Sequence, residues 1–217
     1  MIEKHRVTIT TQATFHTLNQ LTDTTQRIWI VCHGHGQLAE DFVLPFQFLD
    51  SKTNFVIALE GLSKFYLRGN QKVGASWMTK ENRDMEIKNQ TAYARTVLET
   101  LLGDRRIDQF EMVLLGFSQG ASAIWRLAVH LQIPFSHLIH WAGSFPPELD
   151  YDDFDFLSRD AKVHGVLGDQ DNYYDEEVFG LEINKIEKAT GIKPVLFSYA
   201  GKHTVEQEAL ESLVLTF

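Results

Sequence analysis

The sequence predicts an α/β fold in which a mainly parallel central sheet carries helices on both faces. Three observations predict it. Short, continuously apolar segments, such as 27–32 and 111–116, have the composition of strands that are buried on both faces. These segments alternate with stretches of helical periodicity along most of the chain. The 217 residues, 44% of them hydrophobic, are enough for one core, so we expect a single domain over residues 1–217.

Each element has its own signal. Residues 6–18 are rich in Thr and alternate loosely, which indicates an N-terminal β-hairpin or a pair of edge strands. The elements expected after it are strands at 27–32, 54–59, 111–116, 136–141, 163–168 and 195–199, and helices at 39–49, 82–102, 119–131, 176–190 and from 205 onward. Thr204 and Gln207 form a capping-box pattern for the last helix. Since parallel sheets bind ligands at the carboxyl ends of their strands, residues that follow strands are the candidates for a site.

Composition excludes several classes of protein. The formal net charge is −9, and no run of Lys or Arg is longer than Arg105-Arg106, so we expect no nucleic-acid partner. The only cysteine, Cys32, cannot form an internal disulfide. The first residues lack the apolar stretch of a signal peptide, and no apolar run approaches the ~20 residues of a membrane span. We therefore expect a cytoplasmic protein without stable membrane insertion.

The segment 116–120 reads Gly-Phe-Ser-Gln-Gly, a G-x-S-x-G pattern. It falls directly after the most apolar strand and before a helix, where a sharp turn would lift the Ser118 hydroxyl clear of the sheet. Glycines on either side relieve the clashes that a Cβ would cause in such a turn. Ser118 is therefore the candidate nucleophile. The alternative is an ordinary tight turn with a solvated serine.

A serine hydroxyl needs a base to remove its proton, and in this arrangement the acid and the histidine follow the serine along the chain. His203 lies in the loop between the last strand and the last helix and is the candidate base. The acid must lie between Ser118 and His203, after a strand, and the loop that follows the strand at 163–168 offers candidates. Asp169 and Asp171 both qualify, and the residues alone do not separate them. Asp175 is better explained as the cap of the following helix.

An oxyanion hole needs two backbone amides directed at the developing negative charge. The amide of Gln119, directly after the nucleophile, is one candidate. The segment His-Gly-His-Gly at 33–36 follows the first core strand, and we assign the second donor to the amide of His35. His33 and His35 could share a metal ion, but no nearby Cys, Asp or His completes a ligand set. We expect neither a metal nor an organic cofactor.

With these residues in place, the chain resembles the phospholipase/carboxylesterase family of α/β hydrolases, which includes the acyl-protein thioesterases. The segments that carry the resemblance are His-Gly-His-Gly at 33–36, Ala-Ser-Trp at 75–77, Gly-Phe-Ser-Gln-Gly at 116–120 and Gly-Lys-His at 201–203. It implies the α/β-hydrolase fold, an acyl-enzyme on Ser118 and, by alignment of the acid loop, Asp171 as the carboxylate. Three departures stand out: Leu167 replaces a histidine, Asn-Tyr-Tyr at 172–174 replaces the usual continuation, and Gln37 replaces an Asp.

The resemblance implies hydrolysis of a small-molecule carboxylic ester or thioester. A lysophospholipase-like lipid hydrolase and a non-catalytic binding protein of the same fold are the alternatives. The aromatic side chains in 61–77 and at one later strand end are candidates for binding the substrate, as a groove or a lid: Phe65, Tyr66, Trp77 and Phe145. Equally, they could be ordinary loop packing over the core.

Overall fold

Strands and helices alternate along the chain, as its hydrophobic pattern predicts. The computed structural model describes residues 1–69 and 71–217. Within these residues the strands are β1 (Phe15–Leu18), β2 (Arg27–Cys32), β3 (Asn54–Leu59), β4 (Ser63–Tyr66), β5 (Val73–Ser76), β6 (Glu111–Phe117), β7 (His137–Trp141), β8 (Lys162–Gly168) and β9 (Val195–Tyr199). The α-helices are α1 (Ala39–Phe42), α2 (Arg83–Leu102), α3 (Gln119–Leu131), α4 (Glu176–Thr190) and α5 (Gln207–Val214).

A seven-stranded sheet with the order β1-β3-β2-β6-β7-β8-β9 forms the centre of the fold. β1 runs antiparallel to β3, and every other neighbouring pair in this sheet is parallel. In the register, Cys32 lies opposite Gly116, and Gly168 lies opposite Tyr199. The carboxyl ends of β2, β6, β8 and β9 therefore meet at one edge of the sheet, and the residues that follow them can form one site.

The central strands are buried along almost their whole length. β3 and β7 are buried at every position, and β2, β6 and β8 at every position but the first. Burial of both alternating sets of side chains requires that both faces of the sheet be covered, which is why these strands read as continuous apolar runs. The tryptophans at 29, 125 and 141 are fully buried in this core. The predicted mainly parallel α/β architecture is confirmed.

The N-terminal segment forms one edge strand rather than a hairpin. Only Phe15–Leu18 pairs, with β3, and residues 1–14 have no regular secondary structure. The apolar side chains of Val7 and Ile9 are 85% and 75% exposed. With no surface on which to bury these side chains, alternation alone does not stabilise a second strand.

Two helices are shorter than the sequence indicates. α1 ends at Phe42 and is followed by a 3-10 turn at Leu44–Phe46, where Pro45 lacks the amide that would continue the helix. α5 begins at Gln207, with Glu206 and not Thr204 at its N-cap position. The amide of Thr204 donates to Lys202 O at 2.9 Å, in a turn around His203.

The stretch 61–77 contains a two-stranded antiparallel sheet, β4 with β5. Asn70, which lies between these strands, is outside the described residues. β5 also approaches the loop after β2, since a Cβ on Gly74 would lie 2.3 Å from Gly36 O. The segment that the sequence marks as a possible lid is therefore packed beside the carboxyl edge of the central sheet.

Candidate active site

Ser118 occupies a strained turn between β6 and α3. Its φ and ψ angles are 55° and −117°, a conformation that costs a residue with a side chain on the order of 1–3 kcal/mol. Backbone hydrogen bonds hold the turn: Ser118 N donates to Trp141 O at 2.9 Å, and Ala121 N donates to Ser118 O at 3.0 Å. The neighbouring strand β7 and the first turn of α3 together maintain this conformation, which directs the hydroxyl away from the sheet.

Glycines are required on both sides of this serine. A Cβ on Gly116 would lie 2.3 Å from Gly120 O, and a Cβ on Gly120 would lie 2.1 Å from Cys32 O. Both distances are far below van der Waals contact with backbone atoms that cannot move independently. The G-x-S-x-G pattern thus reflects close packing of the strand, the turn and the helix, in which the glycines avoid clashes with a Cβ, as expected from the sequence.

A chain of hydrogen bonds joins Ser118 to His203 and Asp171. Ser118 Oγ lies 2.9 Å from His203 Nε2, and His203 Nδ1 lies 2.6 Å from Asp171 Oδ2. Since a carboxylate can only accept, Nδ1 carries the proton and Nε2 is left to accept from the serine hydroxyl. The Asp171 side chain is fully buried and that of His203 is 15% exposed. The pair is therefore largely shielded from water.

The two candidate carboxylates have different positions. The second oxygen of Asp171 accepts from the amides of Tyr173 and Tyr174 at 2.7 and 3.0 Å, so this carboxylate is fixed from both sides. Asp169 Oδ1 instead accepts from Gly201 N at 3.0 Å and ties the acid loop to the histidine loop. Asp175 caps α4 by accepting at 2.7 Å from the amide of Val178, the third residue of the helix. Of the three carboxylates, only that of Asp171 contacts the histidine. Those of Asp169 and Asp175 bond to backbone amides of a loop and a helix.

Aromatic rings surround the histidine. The ring centroids of Phe117 and Tyr173 lie 4.7 and 4.6 Å from that of His203. Phe117 is buried, whereas Tyr173 is 75% exposed and forms an outer wall beside the imidazole. Tyr174, further inside, shares a 2.7 Å hydrogen bond with Ser144 Oγ and links the acid loop to the loop after β7. The departure Asn-Tyr-Tyr at 172–174 therefore forms one side of the site.

Three amides of the loop after β2 donate to acceptors within the protein. Gly34 N donates to Gln37 Oε1 at 2.8 Å, and Gln37 N donates to Gly34 O at 3.2 Å. Gly36 N donates to Ala75 O at 2.9 Å. Among the described residues, the amide of His35 has no acceptor. A backbone amide without an acceptor within the protein is a donor available to a ligand.

His33 and Trp77 hold this loop from beneath. Gly61 N donates to His33 Nε2 at 3.0 Å, so the imidazole proton is on Nδ1, which donates to Gly34 O at 2.7 Å. Burial lowers the pKa of His33, which favours this neutral form. Trp77 Nε1 donates to His33 O at 2.8 Å. Because both nitrogens of His33 are engaged, it has no lone pair to offer a metal ion.

Gln119 is the first residue of α3, and an amide in the first turn of a helix has no acceptor within the helix. The partial positive charge of the helix N-terminus also lies there. Within the described residues, neither the amide of His35 nor that of Gln119 has an acceptor. In the described residues no group of three His, Cys, Asp or Glu side chains has the arrangement of a metal site.

The four aromatic candidates for substrate contact fall into two pairs. Trp77 is fully buried and Phe145 is 4% exposed, so both side chains are covered by other parts of the protein in this structure. Trp77 supports the loop after β2, and Phe145 packs edge-on against Trp125. Phe65 is half-buried and stacks on the His35 ring at 4.9 Å, while Tyr66 is 69% exposed. Phe65 thus contacts the side chain of His35.

Some hydrogen bonds at the site join segments that are distant in the chain, and the sequence does not predict them. The carboxamide of Gln119 bonds to residues 76–78, more than 40 positions earlier in the chain. The Ser144–Tyr174 hydrogen bond joins two loops 30 residues apart. No local pattern marks such pairs, because they depend on how the strand ends and the β4–β5 sheet meet.

Two further observations concern the helices and the sequence relatives of this protein. Among the helices that the structure describes, none combines the length and the apolar character that crossing a membrane requires. No protein-family model matches the sequence, and no curated protein sequence matches it.

Solved structures match the fold over almost the whole chain. Zea mays acyl-protein thioesterase 2 superposes with a TM-score of 0.69 at 13% identity, over 94% of this chain and 98% of that one. The Bacillus cereus carboxylesterase gives 0.64 at 14% identity, over 94% of each chain. A phospholipase/carboxylesterase from Dyadobacter fermentans gives 0.62 at 15% identity, over 96% of this chain and 98% of that one. The chain therefore has the α/β-hydrolase fold of these proteins, as the resemblance implies.

Proposed function

We propose that this protein is a single-domain serine hydrolase of the phospholipase/carboxylesterase type, which cleaves carboxylic esters or thioesters through an acyl-enzyme on Ser118. The observation that carries the proposal is the hydrogen-bonded chain from Ser118 Oγ through His203 to the buried carboxylate of Asp171. A serine that only fills a turn has no need of a correctly protonated imidazole 2.9 Å from its oxygen.

In the acylation step, His203 Nε2 takes the proton of Ser118 as Oγ attacks the carbonyl carbon of the substrate. The carbonyl π-electron pair moves onto oxygen, and the amides of His35 and Gln119 donate to this oxyanion. When the carbonyl re-forms, the bond to the leaving alcohol or thiol breaks, and the protonated His203 gives its proton to the departing oxygen or sulfur. Asp171 keeps the imidazole in the required tautomer and stabilises its positive charge.

In the deacylation step, His203 removes a proton from water, which attacks the acyl-serine. The second tetrahedral intermediate collapses to release the carboxylic acid, and Ser118 Oγ recovers its proton from His203. Each turnover thus consumes one ester or thioester and one water. These protein groups are sufficient for the chemistry without an organic cofactor.

The structural neighbours support an ester or thioester as the substrate class, since those reported above are described as a thioesterase, a carboxylesterase and a phospholipase/carboxylesterase. The exposed ring of Tyr173 and the half-buried Phe65 are the aromatic surfaces next to His203 and His35. We infer that these two rings contact the apolar parts of the substrate.

The test is labelling with a fluorophosphonate, followed by hydrolysis of p-nitrophenyl esters and acyl thioesters of graded chain length. We expect one label, at Ser118, and a fall in kcat of roughly 10⁶-fold for Ser118→Ala. Wild-type protein that is folded but neither labelled nor active would overturn the proposal and favour a binding protein of the same fold. Turnover confined to lysophospholipids would make it a lipid hydrolase instead.

A further inference from the structure

Both polar atoms of the Gln119 carboxamide form hydrogen bonds with one short segment, residues 76–78, at the end of β5. Trp77 N donates to Gln119 Oε1 at 3.0 Å, and Gln119 Nε2 donates to Met78 O at 2.8 Å. Only one orientation of the amide satisfies both partners, because the first needs an acceptor and the second a donor. Ser76 Oγ, which is buried, lies 3.2 Å from Nε2 and donates to Met78 O at 3.1 Å.

The same segment also fixes the loop that carries the other free amide. Ala75 O accepts from Gly36 N at 2.9 Å, and Ala75 N donates to Gln37 O at 3.1 Å. Trp77 Nε1 reaches the loop again at His33 O, at 2.8 Å. The amide of His35 therefore lies in a loop that is held to residues 75–77 on both sides.

Residues 75–78 thus contact the backbone of the residues on both sides of His35 and the side chain of Gln119, which are the residues that carry the two proposed oxyanion donors. Removing one oxyanion donor costs an enzyme about 10²–10³ in kcat, and the geometry required of such donors is narrow. A contact that sets the spacing of the two amides therefore affects the transition state more than the bound substrate.

We propose that the Gln119 side chain is a positioning residue, which sets the oxyanion hole by clamping the turn at Ser118 to residues 76–78. This inference rests on the proposed function. The backbone amide of Gln119 stabilises the oxyanion, while its carboxamide holds that amide in register with His35 N. This role would explain why residue 119 is a glutamine, since any residue at this position would supply the backbone amide.

The test compares the wild type with Gln119→Met. This variant keeps the backbone amide and the approximate length of the side chain but loses every hydrogen bond of the clamp. We expect kcat to fall about tenfold, a part of the loss for a deleted donor, while KM stays within about twofold. The Ki of a trifluoromethyl ketone, whose adduct places an oxyanion in the same position, should rise by the same factor as kcat falls.

Three further variants complete the design. Gln119→Glu keeps an acceptor for Trp77 N but sets a carboxylate oxygen against Met78 O, so its kcat should fall as well. The matched control is Gln207→Met on the exposed face of α5, which should retain wild-type kcat and Ki. If Gln119→Met does not fold, Ser76→Ala carries the test, with an expected loss of kcat of about threefold and a parallel rise in Ki.

The outcomes separate this inference from the proposed function. Absence of fluorophosphonate label on wild-type Ser118 overturns the proposed function. A labelled, active wild type together with a Gln119→Met variant of unchanged kcat and Ki overturns the clamp alone. A Gln119→Met variant with lower thermal stability and a higher KM, but with an unchanged Ki for the ketone, would also overturn it. That result would show that the contact is merely structural.

Discussion

The carboxylate of Asp171 bonds to His203 through one oxygen, at 2.6 Å, and to two successive backbone amides through the other. This carboxylate is buried, so its orientation is set by the acid loop and not by solvent. Its neighbour Asp169 uses its carboxylate to accept from Gly201 N. The difference between the two residues leads to the first prediction.

Asp171→Asn should lower kcat on a short p-nitrophenyl ester by roughly 10⁴-fold, because the amide group would no longer hold the imidazole in the required tautomer. Asp169→Asn is the matched control. The new Oδ1 can still accept from Gly201 N, so kcat should change by less than about tenfold. A larger loss for Asp169→Asn than for Asp171→Asn would transfer the catalytic role to Asp169.

Gly120→Ala should destabilise the fold by more than about 2 kcal/mol, because its Cβ would lie 2.1 Å from Cys32 O. Gly180→Ala makes the same change within α4, where nothing lies within 4 Å of the new Cβ. It should raise stability by up to about 1 kcal/mol through helix propensity. Urea unfolding of both variants measures the difference, and equal stabilities would contradict the close packing of the serine turn.

Acid should destabilise the protein through three buried histidines. Burial lowers the pKa of His137, His140 and His164 to about 4 in each case. Unfolding exposes them to water, where the ordinary value is about 6.5, so the unfolded state binds more protons between these limits. Their contribution to stability is complete above pH 6.5 and is lost as the pH falls toward 4, at roughly 1 kcal/mol per pH unit for each histidine.

His140 offers a test of this pH dependence. Its Nε2–H donates to Gly143 O at 2.9 Å and its Nδ1 accepts from Trp125 Nε1 at 3.2 Å, so the neutral ring is satisfied on both sides. Between pH 6 and 5 the free energy of unfolding of His140→Gln should fall less steeply than that of wild type, by about a third. Identical slopes would show that His140 takes up no proton on unfolding.

Phe65→Ala should reduce kcat/KM for esters with aromatic or long acyl groups by a few-fold, because it removes the ring stacked on His35 at 4.9 Å. Tyr66→Ala, at the exposed neighbour, is the control and should change kcat/KM by less than about twofold. The comparison uses acetyl, hexanoyl and benzoyl esters. Equal effects of the two variants across this series would exclude a binding role for Phe65.

The sequence by itself determined the fold class, the order of the elements and the residue types of the site. Strands buried on both faces must be continuously apolar, and a turn packed as closely as that of Ser118 must be flanked by glycine. These requirements act over a few residues, so they are visible in the printed chain. The strand Glu111–Phe117 and the turn at 116–120 are predictable from the sequence for this reason.

Only the tertiary structure decided which side chains meet. Asp169 and Asp171 differ in what their loop brings near them, and Trp77 and Phe145 are buried because other segments cover them. The clamp between Gln119 and residues 76–78 spans more than 40 positions of sequence. Hydrogen bonds and burial depend on which residues are close in space. In a parallel sheet, neighbouring strands are far apart in the chain, so the sequence alone does not show which residues are close.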